Sequence, residues 1–132
     1  MILDNKALGR KGLICGISYF GMNGYTISIP LNDTQWYDLI VEKDGKFQTV
    51  QCKFTDSKDN RIPFRSCGGT DGHVYDNILN HPLDLLFCVN EEHWYLIPME
   101  DIRKSGNKNS IVLKTSKNKN NQGFNTCEYL VK

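Results

Sequence analysis

At 132 residues the chain is long enough for one domain that buries roughly two-thirds of its unfolded surface. Its net charge of +1 divides unevenly: residues 1–102 hold nine Lys/Arg and fourteen Asp/Glu, and residues 103–132 hold seven Lys/Arg and only Glu128. No apolar run approaches the ~18 residues of a membrane-spanning helix, and no secretory signal opens the chain, so a cytoplasmic protein without a membrane partner is expected. Five scattered cysteines, none in a Cys-x-x-Cys pair, fit a reducing compartment.

In chain order, Asn5 to Met22 reads as a helix, with Asp4 or Asn5 as N-cap. Gly9, Gly12 and Gly16 fall inside it, each normally costing about 1 kcal/mol relative to alanine. Their small-residue spacing would let the helix lie close on a sheet. Asn23-Gly24 ends the helix, and Tyr25 to Ile29 alternates like a strand before Pro30. A hairpin spans Trp36 to Phe54 around the turn dipeptide Asp44-Gly45, with Leu39, Val41, Val50, Cys52 and Phe54 on its inward face. A polar turn at 55–60 leads to a short strand, Arg61 to Cys67, then a glycine-rich loop and a short helix from Val74 to Leu79. Asp84 to Asn90 is apolar enough for a buried strand, with His93 to Pro98 as its hairpin partner. Met99 to Lys104 reads as a helical turn and Ser110 to Lys114 as a last strand. Residues 115–124 have the Lys/Asn/Gln/Gly content of a mobile loop, and 126–131 return to the sheet. With no repeat and no linker, residues 1–132 read as a single α/β domain carrying a basic Lys/Asn-rich region at 103–132.

The hairpin carries the chemistry. With Asp44-Gly45 as the loop, Lys43 pairs with Lys46, Glu42 with Phe47 and Ile40 with Thr49, which puts Asp38 opposite Gln51. Directly opposed residues share a face, and Lys53 joins that face because the strand period is two. A carboxylate, a carboxamide oxygen and an ammonium converge on one patch, as a metal-dependent phosphodiesterase requires. Taken singly, the same three residues are ordinary for a solvated strand face.

The surrounding sequence adds to this. Asp38, then Gln51-Cys52-Lys53, resembles the Asp-x(n)-(Asp/Glu/Gln)-x-Lys core of the PD-(D/E)XK nuclease superfamily. The segments 23–30 and 36–40, then Phe64 to Gly69 and Trp94 to Pro98, resemble in order those of the intron-encoded PD-(D/E)XK homing endonucleases, over roughly residues 8 to 103. The resemblance implies a restriction-endonuclease-like core, a mixed β-sheet flanked by helices. It implies a site-specific, Mg²⁺- or Mn²⁺-dependent endonuclease acting on double-stranded DNA as a homodimer or homotetramer. Asp38, Gln51 and the backbone carbonyl of Cys52 would hold the metal through hard oxygen ligands. Lys53 would hold the attacking water and stabilise charge on the phosphate. The family also places a glutamate on its first helix. Ungapped alignment puts Leu13 there, so a catalytically weak or inactive DNA-binding protein of the same fold is the alternative. A third reading is an RNA-binding or protein-interaction domain that only looks like a nuclease.

For DNA contact, Arg61, Arg65 and Ser66 follow the Lys53 strand. Lys104, Lys108, Lys114, Lys117 and Lys119 suit salt-dependent phosphate contacts. Both groups also fit a solvated surface. His73, His81 and His93 lack zinc-ligand spacing with any cysteine, and Trp36 and Trp94 read as packing residues.

Overall fold

The computed structural model describes residues 5–32, 35–68, 74–119 and 123–132. Helix α1 (Asn5–Met22) precedes β1 (Thr26–Ser28) and the hairpin of β2 (Leu39–Lys43) and β3 (Lys46–Phe54). Strands β4 (Arg61–Pro63), β5 (Arg65–Gly68) and β6 (Val74–Asn77) follow, then β7 (Leu85–Val89) and β8 (Trp94–Pro98). Helix α2 (Met99–Ser105) and β9 (Ser110–Val112) complete the order. Five strands form one sheet in the order β1-β2-β3-β7-β8, antiparallel throughout except for the parallel pair β3–β7.

Alternation along the strands sorts the core into two layers. Leu39, Val41, Val50 and Cys52 point to one face with Leu85, Phe87 and Val89, where they meet Phe20 of α1. Leu86, Cys88, Tyr95 and Ile97 point to the other, where Ile62, Phe64, Met99, Ile102 and Leu113 cover them. Strand β7 is buried on both faces, the burial expected of a strand in a parallel pair.

Two of the helix glycines explain how α1 approaches the sheet. A Cβ on Gly12 would lie 3.1 Å from the Lys53 carbonyl carbon and 3.2 Å from the Phe54 nitrogen, and one on Gly16 would lie 2.7 Å from the Cys52 Sγ. Only glycine permits this approach. The hairpin turn has φ 54° at Asp44 and 82° at Gly45, the double positive φ that matches the right-handed twist of the strands it joins. Its register is the one counted from the sequence: Lys43 with Lys46, Glu42 with Phe47, Ile40 with Thr49.

The structure differs from the sequence reading in three places. The stretch from Arg61 to Cys67 is two strands, because Phe64 turns its side chain fully inward and donates its N–H to the Asn109 carbonyl. Strand β4 then pairs with β9, and β5 with β6. Val74 to Leu79 is a strand followed by a 3₁₀ turn (Ile78–Asn80), not a helix. The Asn77 side chain accepts the Leu79 N–H and starts the turn there. The C-terminal return begins as another 3₁₀ turn (Thr126–Tyr129), and Leu130, Val131 and Lys132 then reach the edge of β8 at Trp94 and Tyr95.

The Lys/Asn-rich segment is closed at its base. The Asn118 N–H donates to the Asn125 side chain at 2.7 Å, and its amide group donates to the Phe124 carbonyl. The tip at 120–122, on which the expectation of mobility partly falls, lies outside the described residues. No helix among the described residues is long and apolar enough to cross a membrane.

Candidate active site

Asp38 stands one residue before β2, whose register ends with Leu39 opposite Val50, and its N–H donates to the Val50 carbonyl at 2.8 Å. Its Oδ2 accepts the Cys52 N–H, also at 2.8 Å. The carboxylate therefore caps the β2 side of β3 where β2 has ended. Within a strand the N–H and C=O of one residue point the same way. The Cys52 carbonyl accordingly faces the same gap, while its thiol points to the opposite layer, towards α1. Gln51 and Lys53, flanking Cys52, share one face of β3 beside Leu86 and Cys88 of β7, and the Lys53 and Asp38 charges act on each other.

Burial sets the electrostatics. It pushes the Asp38 carboxyl above the usual carboxylate range, against the Cys52 N–H and the Lys53 charge, which both pull it down. Burial also pulls the Lys53 ammonium below its ordinary value, opposed by Cys88 and Asp38. Both thiols nearby are raised by burial, Cys52 with a further contribution from Asp38, so they are protonated at neutral pH and are not nucleophiles.

The donors at this end of the hairpin are one carboxylate, one carboxamide oxygen and one carbonyl. All are hard oxygens, which suit Mg²⁺ with retained water. Leu13 packs into the apolar layer with Cys15 and Ile17 and adds no ligand. Among the described residues no three His, Cys, Asp or Glu side chains gather as a metal cluster. The residues present therefore fit a weakly held ion whose remaining ligands come from water and phosphate.

The cationic candidates divide by partner. The Arg61 guanidinium is engaged by Asp59 at 2.9 Å and the Ser110 hydroxyl at 2.8 Å. Lys104 pairs with Glu100 at 2.9 Å, and Lys114 donates to the Asn118 side chain at 3.0 Å. Arg65 lies exposed on β5, where Ser66 is opposite Asp76. Lys108, Lys117 and Lys119 are exposed. A polar cavity of about 550 Å³ brings Lys114, Thr115 and Ser116 to the exit of β3 at Thr55–Ser57, across from the turn at Asn90–His93. That places the root of the basic segment at the C-terminal ends of the parallel pair β3–β7, where open α/β sheets bind ligands. Asn60 and Asn90, hydrogen-bonded to each other in this cavity, carry no local sequence signal; the fold alone joins them across thirty positions. His73 lies outside the described residues.

A mixed sheet with a helix against the site strand, and Asp38 bonded to the Cys52 N–H between Gln51 and Lys53 at the open end of its hairpin, defines a restriction-endonuclease-like core. A family model described as PD-(D/E)XK endonuclease matches residues 4–129, and the chain belongs to that family. Among solved structures, the bacterial homing endonuclease I-Ssp6803I superposes with a TM-score of 0.74 at 19% sequence identity. The match covers 97% of this chain and 89% of that one. At that identity the likeness is one of fold. No curated protein matches the chain significantly.

Proposed function

We propose that residues 1–132 act as one nuclease domain, a site-specific double-strand DNA endonuclease of the homing type. The carrying observation is the Asp38 carboxylate held by the Cys52 N–H, between Gln51 and Lys53 and within electrostatic reach of the Lys53 ammonium. Asp38, Gln51 and the Cys52 carbonyl would hold Mg²⁺ or Mn²⁺. When bound, such an ion orients the scissile phosphate and lowers the pKa of the attacking water. Lys53 holds the water and donates to the phosphate oxygen on which charge develops. Its half-buried ammonium, depressed by desolvation, gives up a proton more readily than a solvated lysine. One site per chain and two strands to cut call for a homodimer or homotetramer. Lys108, Lys117 and Lys119 supply phosphate contacts; Arg61 and Lys104 must first leave Asp59 and Glu100.

A second reading, a DNA-binding protein of this fold that cuts weakly or not at all, is favoured by one observation. Leu13, at the position of the family's helix glutamate, belongs to the apolar layer under the sheet. Supercoiled plasmid and duplexes selected from a random library, incubated with Mg²⁺ or Mn²⁺, separate the two readings, with Lys53→Ala as control. Cleavage lost in Lys53→Ala supports the nuclease. Specific binding without cleavage in either chain supports the binder. Absence of both rejects DNA as the partner.

A further inference from the structure

The approach to Asp38 is held by a group of side chains that the catalytic scheme does not use. Trp36, two residues earlier, lies flat on the His81 ring with planes 3° apart and centroids at 5.3 Å. Tyr37 meets Trp36 edge-on at 4.9 Å. The far nitrogen of His81, Nε2, is hydrogen-bonded to the Asp76 carboxylate. The backbone of His81 is itself fixed. Arg103, reaching from α2, donates to the His81 carbonyl at 2.5 Å and to the Leu83 carbonyl at 3.3 Å.

These contacts differ from generic packing. An aliphatic neighbour would leave Trp36 free to tilt, whereas two flat rings restrict it to sliding. The imidazole is prevented from turning by its bond to Asp76. Asp76 belongs to β6, which is hydrogen-bonded to β5 with Ser66 opposite Asp76. The hairpin carrying Arg65 is thus linked through Asp76, His81 and Trp36 to the segment that delivers the Asp38 carboxylate.

We infer that His81 is a positioning residue, coupling the β5–β6 hairpin to Asp38 by a stack on Trp36 and a bond to Asp76. Its functional meaning rests on Asp38 being the metal-binding carboxylate proposed above, but the geometric claim stands apart from cleavage. The direct reporter is the Cys52 amide, which donates to Asp38. Its strand partner Phe87 is the internal control, because that residue is fully buried in β7. In the full chain, His81→Ala should speed hydrogen exchange at the Cys52 amide about tenfold relative to Phe87, a ~1.4 kcal/mol local opening. Asp76→Asn, which keeps a hydrogen-bonding side chain, should give a smaller change in the same direction and serves if His81→Ala does not fold. His81→Phe keeps a ring on Trp36 but abandons Asp76, so it should recover less than half of the lost protection.

Unchanged Cys52 exchange relative to Phe87 in the folded variants overturns the inference, and full recovery by His81→Phe overturns the part given to Asp76. Terbium luminescence adds a second reading. Tb³⁺ affinity should fall about tenfold in His81→Ala as it falls in Asp38→Asn. If Asp38→Asn leaves Tb³⁺ affinity untouched, the metal-site proposal fails, and the amide comparison still decides the role of His81.

Discussion

Replacing Gly16 with alanine puts a methyl carbon 2.7 Å from the Cys52 Sγ, with Phe87 Cδ1 at 3.4 Å and Leu39 Cδ1 at 3.7 Å. A carbon–sulfur approach that short cannot persist, so either the thiol turns or α1 lifts from β3. The thiol has little room, since Cys52 is only 6% exposed and both flanking side chains are fully buried. Overpacking of this kind costs about 1–3 kcal/mol, and alanine returns about 1 kcal/mol in helix propensity. The expected net loss is about 0–2 kcal/mol, or a fall in Tm of up to about 8 °C in a domain of this size. Gly9 is the control: nothing lies within 4 Å of its Cβ position, so Gly9→Ala should stabilise by about 1 kcal/mol. Cys52→Ala removes the sulfur that the new methyl meets. In a double-mutant cycle by urea titration, Gly16→Ala and Cys52→Ala should therefore couple favourably by about 1 kcal/mol or more. Additivity within about 0.5 kcal/mol, or a Gly16→Ala chain as stable as Gly9→Ala, would refute the claim that this glycine exists for close approach.

Three further outcomes are expected. Because the Asp38 carboxyl is raised by burial, the folded chain holds its proton more tightly than the unfolded chain. This group's contribution to stability therefore falls as pH rises from the ordinary carboxylate value through the raised one, and stays low above it. Denaturant melts from pH 3 to 7 should show that segment flattened in Asp38→Asn, with the variant about 0.5–1 kcal/mol more stable at pH 7; an unaltered profile contradicts the burial argument. Leu13→Glu should raise Mg²⁺-dependent cleavage while lowering stability by about 1–3 kcal/mol, since it places a carboxylate in the α1 layer. Unchanged stability with unchanged cleavage would mean that position 13 is not directed at the site. Replacing Lys117 and Lys119 with alanine should reduce the slope of log K against log[salt] for duplex DNA by about 1.8, one phosphate per lysine. An unaltered slope removes the basic segment from the interface.

Local signals carried the site strands, and only tertiary contacts could carry the rest. The Asp44-Gly45 turn has a single compatible register, so counting from it gives the pairing of β2 with β3 as far as Leu39 and Val50, one residue short of Asp38. Gly9, Gly12 and Gly16 read together as a close-approach face because nothing local compensates a glycine in mid-helix, but only Gly12 and Gly16 meet the sheet, and Gly9 faces open space. The break at Phe64 was not legible, because the residue reads as one more strand position until β9 and β6 compete for its two sides. The stretch Val74–Asn77 reads as a helix in sequence and forms a strand, because its apolar residues are too few to fix a period. The stack of Trp36 on His81 joins residues 45 positions apart and has no sequence signature. The pairs Arg61–Asp59 and Lys104–Glu100, two and four positions apart, are by contrast local charge patterns of the kind a sequence shows.

The replacement of a helix carboxylate by Leu13 has a consequence that reaches beyond rate. Asp38 and Lys53 together make the site close to neutral, and burial weakens both charges. A divalent cation entering such a site meets one carboxylate and two neutral oxygens, so its affinity without substrate is low. A phosphate beside it supplies the missing negative charge. Under the proposed reading, the factor by which DNA tightens the ion must equal the factor by which the ion tightens DNA, because the two bindings close one thermodynamic cycle. A second carboxylate at position 13 would hold the ion before DNA arrives and reduce that mutual dependence. Under the same reading, leucine there would make the duplex itself part of the metal site, and occupancy would follow DNA engagement rather than precede it.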